Sequence, residues 1–187
     1  MSEGSGVETA DLWVFGYGSL MWRPGFAFEE RMPGTMRGLH RALCIRSFVH
    51  RGTPDKPGLV LGLDWGGSCR GVAFRVAAAR RAETMRYLRD REQVTSVYIE
   101  FEHEASLVDG RRVMALAYRV DRRHPQYCGR LSREDLLLAV RDSIGVSGPN
   151  PDYVLATQDH LVELGIHDAT LDWLAGRLRE LGAGRFP

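Results

Sequence analysis

The spacing of apolar residues changes three times along this chain, and the changes predict the order of its secondary structure. Before residue 77 the apolar and β-branched runs are short, as in strands, whereas Ala77 to Arg91 has a helical period. Residues 94 to 120 return to strand-like runs, and the last third is helical. Strands separated from helices in this way predict an α+β fold with a curved or barrel-like antiparallel sheet.

Turn residues predict where the strands begin and end. Asp109-Gly110 lies between two alternating runs and is a strong hairpin signal. Gly66-Gly67 separates two shorter apolar runs and predicts a second hairpin, and His50 to Gly58 is a loop rich in proline and glycine. The predicted strands are 11–14, 35–47, 59–63, 71–76, 94–108 and 112–120.

The helices after residue 130 carry recognisable start and stop signals. Ser132 is a predicted N-cap, with Asp135 in the capping-box position. Asn150 is predicted to cap the next helix, with a proline at its first position, and Gly165 to end it. The last helix has one apolar stripe, formed by Leu171, Leu174, Leu178 and Leu181.

Length and composition exclude several classes of protein. A chain of 187 residues predicts a loose tail over 1–10 and a single domain over 11–187. With 25 basic against 24 acidic residues, the formal net charge of +1 favours neither nucleic acid nor a membrane surface as a partner. No apolar run approaches the roughly 20 residues of a membrane span. The three widely spaced cysteines argue against a disulfide framework and for a reducing cytoplasm.

The stretch Phe15-Gly16-Tyr17-Gly18-Ser19-Leu20 follows the first predicted strand and interrupts it with two glycines. Glycine accepts backbone angles that other residues avoid, so such a loop can turn several N–H groups toward one ligand. A loop of this kind at a strand end can bind a carboxylate. The same residues are also compatible with a turn that only connects two strands.

Glu92 is the strongest candidate for acid–base chemistry. It continues the helical stripe of Met85 and Leu88, so its carboxylate should face the core, where desolvation and the helix C-terminus both raise the pKa of a carboxyl group. The alternative is a surface glutamate paired with Arg89 or Arg91. Glu83 lies about two and a half turns earlier, so it can share a site with Glu92 only if the helix ends or bends between them.

Other reactive residues lack the patterns that their chemistry needs. Ser19 is not in a G-x-S-x-G nucleophile elbow, and Cys44 lies on a predicted strand, where a core role is favoured. The six histidines show no metal-ligand spacing, and neither glycine-rich phosphate-binding pattern is complete. The sequence therefore signals neither a metal nor an organic cofactor.

Several stretches together resemble the ChaC-like γ-glutamylcyclotransferases. The first is Val14 to Trp22, and the second is His50 to Thr53 followed by Lys56 to Gly58. The third is Arg91 to Tyr98, which resembles the family segment that carries the catalytic glutamate. Residues 121–127 and 147–150 resemble further family stretches in the same order. The resemblance extends over about residues 12 to 180 of the chain.

The resemblance implies a small mixed antiparallel β-barrel with flanking helices, and a glutathione-specific enzyme. In that reaction the α-amino group of a γ-glutamyl moiety attacks its own γ-carbonyl, which gives 5-oxoproline and releases Cys-Gly. Glu92 matches the catalytic residue, and no cofactor is implied. The resemblance maps the substrate loop onto Gly16, Tyr17, Gly18, Ser19, Leu20 and Met21. Glu83 and Tyr98 are further candidates for substrate binding, and the sequence leaves open which tyrosines line the pocket.

Two departures from the family pattern leave the substrate open. Leu59 stands where many members have an arginine, and Val97 replaces a glycine before the tyrosine. The alternatives are a cyclotransferase for other γ-glutamyl amines or amino acids, and a non-catalytic module of the same fold that binds a small acid or a protein. The sequence indicates a small-molecule substrate rather than nucleic acid or membrane, and gives no oligomeric state.

Overall fold

The computed structural model of this chain describes residues 10–92 and 96–183, with the backbone alone at residue 183. The predicted N-terminal tail lies outside the described residues, apart from residue 10. Short 3₁₀ turns occur at Ser19–Met21 and Ala78–Arg80. The strands are β1 (Leu12–Gly16), β2 (Glu30–Ser47), β3 (Gly58–Val76), β4 (Tyr98–Leu107), β5 (Arg112–Val120), β6 (Ile144–Gly145) and β7 (Gly148–Pro149). The helices are α1 (Arg81–Glu92), α2 (Arg133–Val140), α3 (Asn150–Glu163) and α4 (Ala169–Ala183).

The five long strands form a closed barrel in the order β1-β3-β2-β4-β5. All neighbouring pairs are antiparallel except β1 and β5, which close the barrel in parallel through Trp13 and Val14. The α+β fold and the mixed barrel with flanking helices are therefore confirmed. Closure removes the exposed sheet edges that an open sheet of this size would present.

The predicted hairpin at Gly66-Gly67 is wrong, because β3 runs through both glycines without reversing. Gly66 has φ +104° and Gly67 has φ +70°. On the facing strand Gly38 has φ +80°, at a register shift between Arg37 and Leu39. Gly38 on β2 therefore lies opposite Gly66 and Gly67 on β3, and all three have a left-handed backbone conformation. An irregularity of this kind bends the pair of strands. The actual reversal between β2 and β3 lies in the proline- and glycine-rich loop that follows Ser47.

One apolar core joins the barrel to α2, α3 and α4. It contains Phe15 and Leu61 from the strands, and Leu161 and Leu174 from the helices, all buried. In the predicted stripe of the last helix, Leu171, Leu174 and Leu178 are buried, but Leu181 is 42% exposed. Within the described part of the chain, no helix has both the length and the apolar character needed to cross a membrane.

Asn150 does not cap α3 as predicted, because its side chain bonds to the neighbouring strand instead. Pro149 occupies the N-cap, and Asn150 is the fully buried first residue of the helix. The side-chain amide of Asn150 accepts from the Leu59 N–H at 2.7 Å and donates to the Leu59 carbonyl at 2.8 Å. By contrast, the Ser132 cap is confirmed, since its hydroxyl accepts from the N–H of Asp135.

The variant Asn150→Ala should lower the free energy of unfolding by about 2–3 kcal/mol, because it removes the side chain that bonds to both the backbone N–H and the backbone carbonyl of the buried residue Leu59. In a chain of this length that corresponds to a decrease in Tm of very roughly 5–10 °C. Asp159→Ala, which removes an exposed ion pair from the same helix, should cost less than about 1 kcal/mol. Thermal unfolding of the two variants tests this; equal Tm values would contradict the role given to Asn150.

Candidate active site

The glycine-rich loop folds back on the end of β1. A Cβ atom at Gly16 would lie 3.0 Å from Leu20 Cβ and 3.1 Å from Met21 N, so the backbone there comes too close for a larger residue. Leu20 and Met21 are both buried. Gly16 and Met21 therefore support the loop from the core side, while the residues between them face a cavity.

This small cavity, of about 60 Å³, lies between the loop, the end of α1 and the barrel. Its wall is mostly aromatic, with one carboxylate. The lining residues are Phe15, Tyr17, Gly18, Ser19, Leu20, Leu61, Glu92, Tyr98, Tyr118 and Tyr153. The chain thus brings the predicted loop and the predicted acid together from distant parts of the sequence.

Glu92 is the last residue of α1, and only 17% of its side chain is exposed. Burial raises the pKa of the Glu92 carboxyl, and the Arg91 guanidinium, whose Nε lies 3.2 Å from Oε1, opposes that rise without cancelling it. The two alternatives drawn from the sequence are thus both partly correct. The carboxylate is largely buried at the cavity and is also paired with Arg91.

Four tyrosines surround the cavity, and three of them have hydroxyl partners that fix the rings. Tyr98 donates to the Leu61 carbonyl at 2.8 Å, and the Leu61 N–H donates to the Tyr153 hydroxyl at 3.1 Å. The Tyr118 hydroxyl donates to Glu100 Oε2 at 2.9 Å. Burial raises the pKa of Tyr17 and Tyr98 far above the ordinary value, so these phenols stay neutral. The tyrosines therefore form a fixed part of the wall and add no negative charge to that of Glu92.

The loop that lines this cavity has three backbone N–H groups without a partner among the described residues. The N–H of Met21 donates to the Gly18 carbonyl, and the Arg23 N–H to the Ser19 carbonyl. Among the residues that the structure describes, no acceptor is found for the N–H groups of Gly18, Ser19 and Leu20. Unpaired N–H groups at a turn that lines a cavity are suited to an anion such as a carboxylate.

A second, wider cleft of about 930 Å³ adjoins the small cavity. The two share the side chains of Ser19, Glu92, Tyr98 and Tyr153. One wall of the cleft is formed by Trp22 stacked on His160, with ring centroids 4.4 Å apart. Further basic side chains line it, namely Arg23, Arg46, His50, Arg51 and Arg91. Glu92 therefore lies where a narrow, mostly aromatic cavity opens into a wide cleft in which basic side chains outnumber acidic ones.

Six of the predicted site residues line the small cavity and three do not. Those that line it are Tyr17, Gly18, Ser19, Leu20, Tyr98 and Glu92. Gly16 and Met21 lie behind the loop, and Glu83 is exposed in the first turn of α1, away from both cavities. Because α1 is continuous from Arg81 to Glu92, the bend that would bring Glu83 to the site is absent.

In the described part of the chain, neither Ser19 nor the buried cysteines Cys44 and Cys69 are arranged as an activated nucleophile. Burial raises the pKa of the Cys44 thiol to about 12 and of the Cys69 thiol to about 11, so neither supplies a thiolate at neutral pH. The Ser19 hydroxyl accepts from Arg91 Nη2 at 2.8 Å rather than bonding to a histidine base. Within residues 10–92 and 96–183, no group of His, Cys, Asp and Glu side chains is arranged to hold a metal ion.

Sequence reasoning missed Leu61, Tyr118 and Tyr153 in the cavity wall, and the arginines around the loop. Tyr118 is on β5 and Tyr153 is one turn into α3, so each reaches the cavity only through the barrel and its packing on the helices. No local motif surrounds either tyrosine. The signal that could have found them is their pairing with distant segments, which a single sequence does not show.

Comparison with known proteins gives one consistent result. The family model for "ChaC-like protein" matches residues 12–181. A glutathione-specific γ-glutamylcyclotransferase of Escherichia coli is 36% identical over 180 residues, covering 96% of this chain and 78% of that protein. The γ-glutamylcyclotransferase 2-3 of Arabidopsis thaliana is 33% identical over 178 residues, which cover 91% of this chain and 89% of that protein. A crystal structure of a γ-glutamyl cyclotransferase specific to glutathione from yeast has a TM-score of 0.80 at 22% identity, covering 91% of this chain and 96% of that one.

Proposed function

Because this chain belongs to the ChaC-like family, we propose that it is a γ-glutamylcyclotransferase that converts glutathione into 5-oxoproline and Cys-Gly. The observation that carries the proposal is the position of Glu92. Its buried carboxylate lies at the junction of the small cavity and the wide cleft, opposite a loop with unpaired backbone donors. The relatives named above as acting on glutathione support the choice of substrate.

The reaction needs a folded substrate and one proton carrier. The α-amino nitrogen of the γ-glutamyl group forms a bond to the γ-carbonyl carbon, the five-membered ring closes, and the bond from that carbon to the cysteinyl nitrogen breaks. The attacking ammonium must lose a proton, and the departing nitrogen must gain one. Glu92 can accept the first proton and deliver the second, because burial has brought its pKa closer to neutrality.

The small cavity suits the γ-glutamyl group. Its backbone N–H groups at Gly18, Ser19 and Leu20 would bind the α-carboxylate, and the neutral aromatic wall would hold the chain in the ring-closing conformation. Orientation of two reacting groups within one molecule can supply about 7–11 kcal/mol of a barrier. The reaction therefore depends more on orienting the amino group and the γ-carbonyl than on strong acid–base groups. A cavity with fixed tyrosines and one carboxylate agrees with this requirement.

The wide cleft suits the amine that leaves. Cys-Gly ends in a carboxylate, and the basic side chains of this cleft, Arg46 among them, provide a favourable potential for an anion. Val97 is buried and lines the same cleft, so the departure from the family glycine at that position lies on the leaving-group side. Differences in substrate preference from other family members are therefore expected to concern the leaving amine.

The ratio kcat/KM should decrease at acidic pH, and the apparent pKa of this decrease should lie above the ordinary glutamate value of about 4.3. Only the ionised carboxylate of Glu92 can accept the ammonium proton, and burial raises the pKa at which that form is lost. A pH profile with glutathione, measured over the range in which the fold is stable, tests this. An acid limb at or below the ordinary glutamate value would contradict the assignment of Glu92 as the base.

Incubation of the purified chain with glutathione, with mass detection of 5-oxoproline and Cys-Gly, tests the function itself. γ-Glutamyl-alanine and a γ-glutamyl alkylamine in competition with glutathione separate the alternatives, since only the alkylamine conjugate lacks a carboxylate on the leaving side. Absence of turnover with all three would refute the enzyme proposal and favour a binding module. A cytoplasmic location stays a prediction, based on the free cysteines Cys44, Cys69 and Cys128.

A further inference from the structure

We propose that Arg41 is a positioning residue that aims the backbone N–H of Gly18 into the small cavity. The inference rests on the proposed function, because it concerns how that cavity recognises the α-carboxylate of a γ-glutamyl substrate. It assigns a role to a buried charge that the reaction itself does not use.

The Arg41 side chain is only 4% exposed and reaches the loop from behind. It is on the same face of β2 as the buried residues Leu39 and Leu43, since alternate residues of a strand share a face. Its Nε donates to the Tyr17 carbonyl at 2.5 Å, and its Nη2 donates to the Arg70 carbonyl at 2.6 Å. A hydrogen bond from an ionised, buried donor is stronger than one between neutral groups, so the Tyr17 carbonyl is held firmly.

Peptide geometry converts this hold into a direction for the next N–H. A trans peptide is planar, with its carbonyl and its N–H pointing to opposite sides of the chain. No cis peptide occurs in the described residues, so this applies to the bond between Tyr17 and Gly18. With the Tyr17 carbonyl fixed toward Arg41, the Gly18 N–H is turned the other way. Both residues line the cavity, and no acceptor for this N–H is present among the described residues.

The same arginine connects the loop to α4. Its Nη1 lies 3.7 Å from Asp168 Oδ2, and the other oxygen of Asp168 accepts from the N–H groups of Thr170 and Leu171. A purely structural role is therefore a real competitor, in which Arg41 only ties the barrel to the helices. The two roles make different predictions for substrate binding.

Amide spectra of the unaltered protein supply the first test. Titration with 5-oxoproline, followed by ¹H–¹⁵N correlation spectroscopy, should shift the Gly18 amide toward the position of a strongly hydrogen-bonded N–H. The amide of Gly176, which is in the middle of α4, is the matched control and should not move. Saturable binding without a shift at Gly18 would overturn the proposal.

Kinetics of Arg41→Lys supply the second test. Lysine keeps the charge near Asp168 but lacks the planar guanidinium that reaches both carbonyls. We expect KM for glutathione to rise by about tenfold or more with kcat within about threefold, because the contact with the α-carboxylate exists before and during ring closure. The control is Asp168→Asn, which removes the ion pair but keeps an oxygen to cap α4. It should change Tm and leave KM unaltered.

The outcomes separate this proposal from the proposed function. No turnover of any γ-glutamyl compound by the unaltered chain would refute the function, and the amide titration would still report on Gly18. Normal turnover together with an unchanged KM in folded Arg41→Lys would refute the positioning role alone. If Arg41→Lys does not fold, saturable binding of 5-oxoproline without a shift of the Gly18 amide still overturns the positioning role.

Discussion

The variant Glu92→Gln should keep the fold intact and lower the rate of 5-oxoproline release from glutathione by at least about 1,000-fold. The substitution is nearly isosteric, and the lost carboxylate is one that burial already disfavours in its charged form. Folding should therefore be unaffected or slightly favoured. Catalysis should lose the group that we propose both accepts the ammonium proton and protonates the leaving nitrogen.

The expected size follows from counting proton transfers. One positioned acid or base typically contributes about 10²–10⁴-fold, and here a single residue serves two successive transfers. Substrate binding should change little, because we propose that backbone groups of the loop, rather than Glu92, bind the α-carboxylate. The loss should therefore appear in kcat, with the KM for glutathione close to that of the unaltered protein.

Asp90→Asn is the matched control for this variant. Asp90 is on α1, two residues before Glu92, and its side chain is exposed. The change removes one carboxylate from the same helix without touching the cavity, so activity should stay within about twofold if surface charge has only small effects. Turnover by Glu92→Gln comparable to that of Asp90→Asn would show that another group carries the proton.

Local signals in this sequence predicted the parts of the fold that depend on local physics. Asp109-Gly110 joins β4 and β5 as predicted, because the turn and the alternation on both sides agree. Glu92 was found because a helical stripe extends to it. Asn150 and the Gly66-Gly67 pair were misread for one common reason. In each case a long-range partner overrides a strong local preference. Asn150 is a favoured N-cap residue but bonds to Leu59, and the two glycines favour a tight turn but pair with the bent facing strand β2.

The supporting arginines could not be predicted at all. Arg41 occupies an ordinary strand position, and Arg91 was considered only as a surface partner for Glu92. In the structure Arg91 pairs with Glu92 and also bonds to Ser19, to the Arg23 carbonyl and to the Tyr87 hydroxyl, and so ties the C-terminal end of α1 to the glycine-rich loop. These roles depend on which backbone carbonyls lie nearby in three dimensions. A pattern of residue types along one chain does not contain that information.

The departure at Leu59 is explained by packing. Leu59 is 1% exposed and belongs to the core, while its backbone is bonded on both sides by Asn150. A charged side chain at this position would need a buried partner, and the described part of the cavity wall does not include Leu59. The missing arginine therefore removes no contact from the small cavity as this chain builds it.

The variant Gly18→Val should lower kcat/KM for glutathione by at least about 100-fold, because displacing a reacting group by about 1 Å can reduce the rate by that factor. A Cβ atom at Gly18 would lie 3.6 Å from Leu61 Cδ1, which is ordinary contact, so the first carbon fits. The two further methyl groups of valine then have to occupy the small cavity itself. They would displace the γ-glutamyl group rather than distort the loop, although distortion is what the glycine-rich sequence alone suggests.

A graded pair of variants distinguishes these two mechanisms. If space in the cavity is what matters, Gly18→Ala should be mild and Gly18→Val severe, with Gly176→Val on α4 as the control, because no atom lies within 4 Å of a Cβ at Gly176. If the backbone at Gly18 has to be glycine, alanine should be as harmful as valine, since both carry the Cβ atom that restricts it. Steady-state kinetics on the three variants, with Tm measured alongside, gives the answer. An active Gly18→Val would mean that the γ-glutamyl group binds outside the small cavity, and the assignment of the two compartments would have to be exchanged.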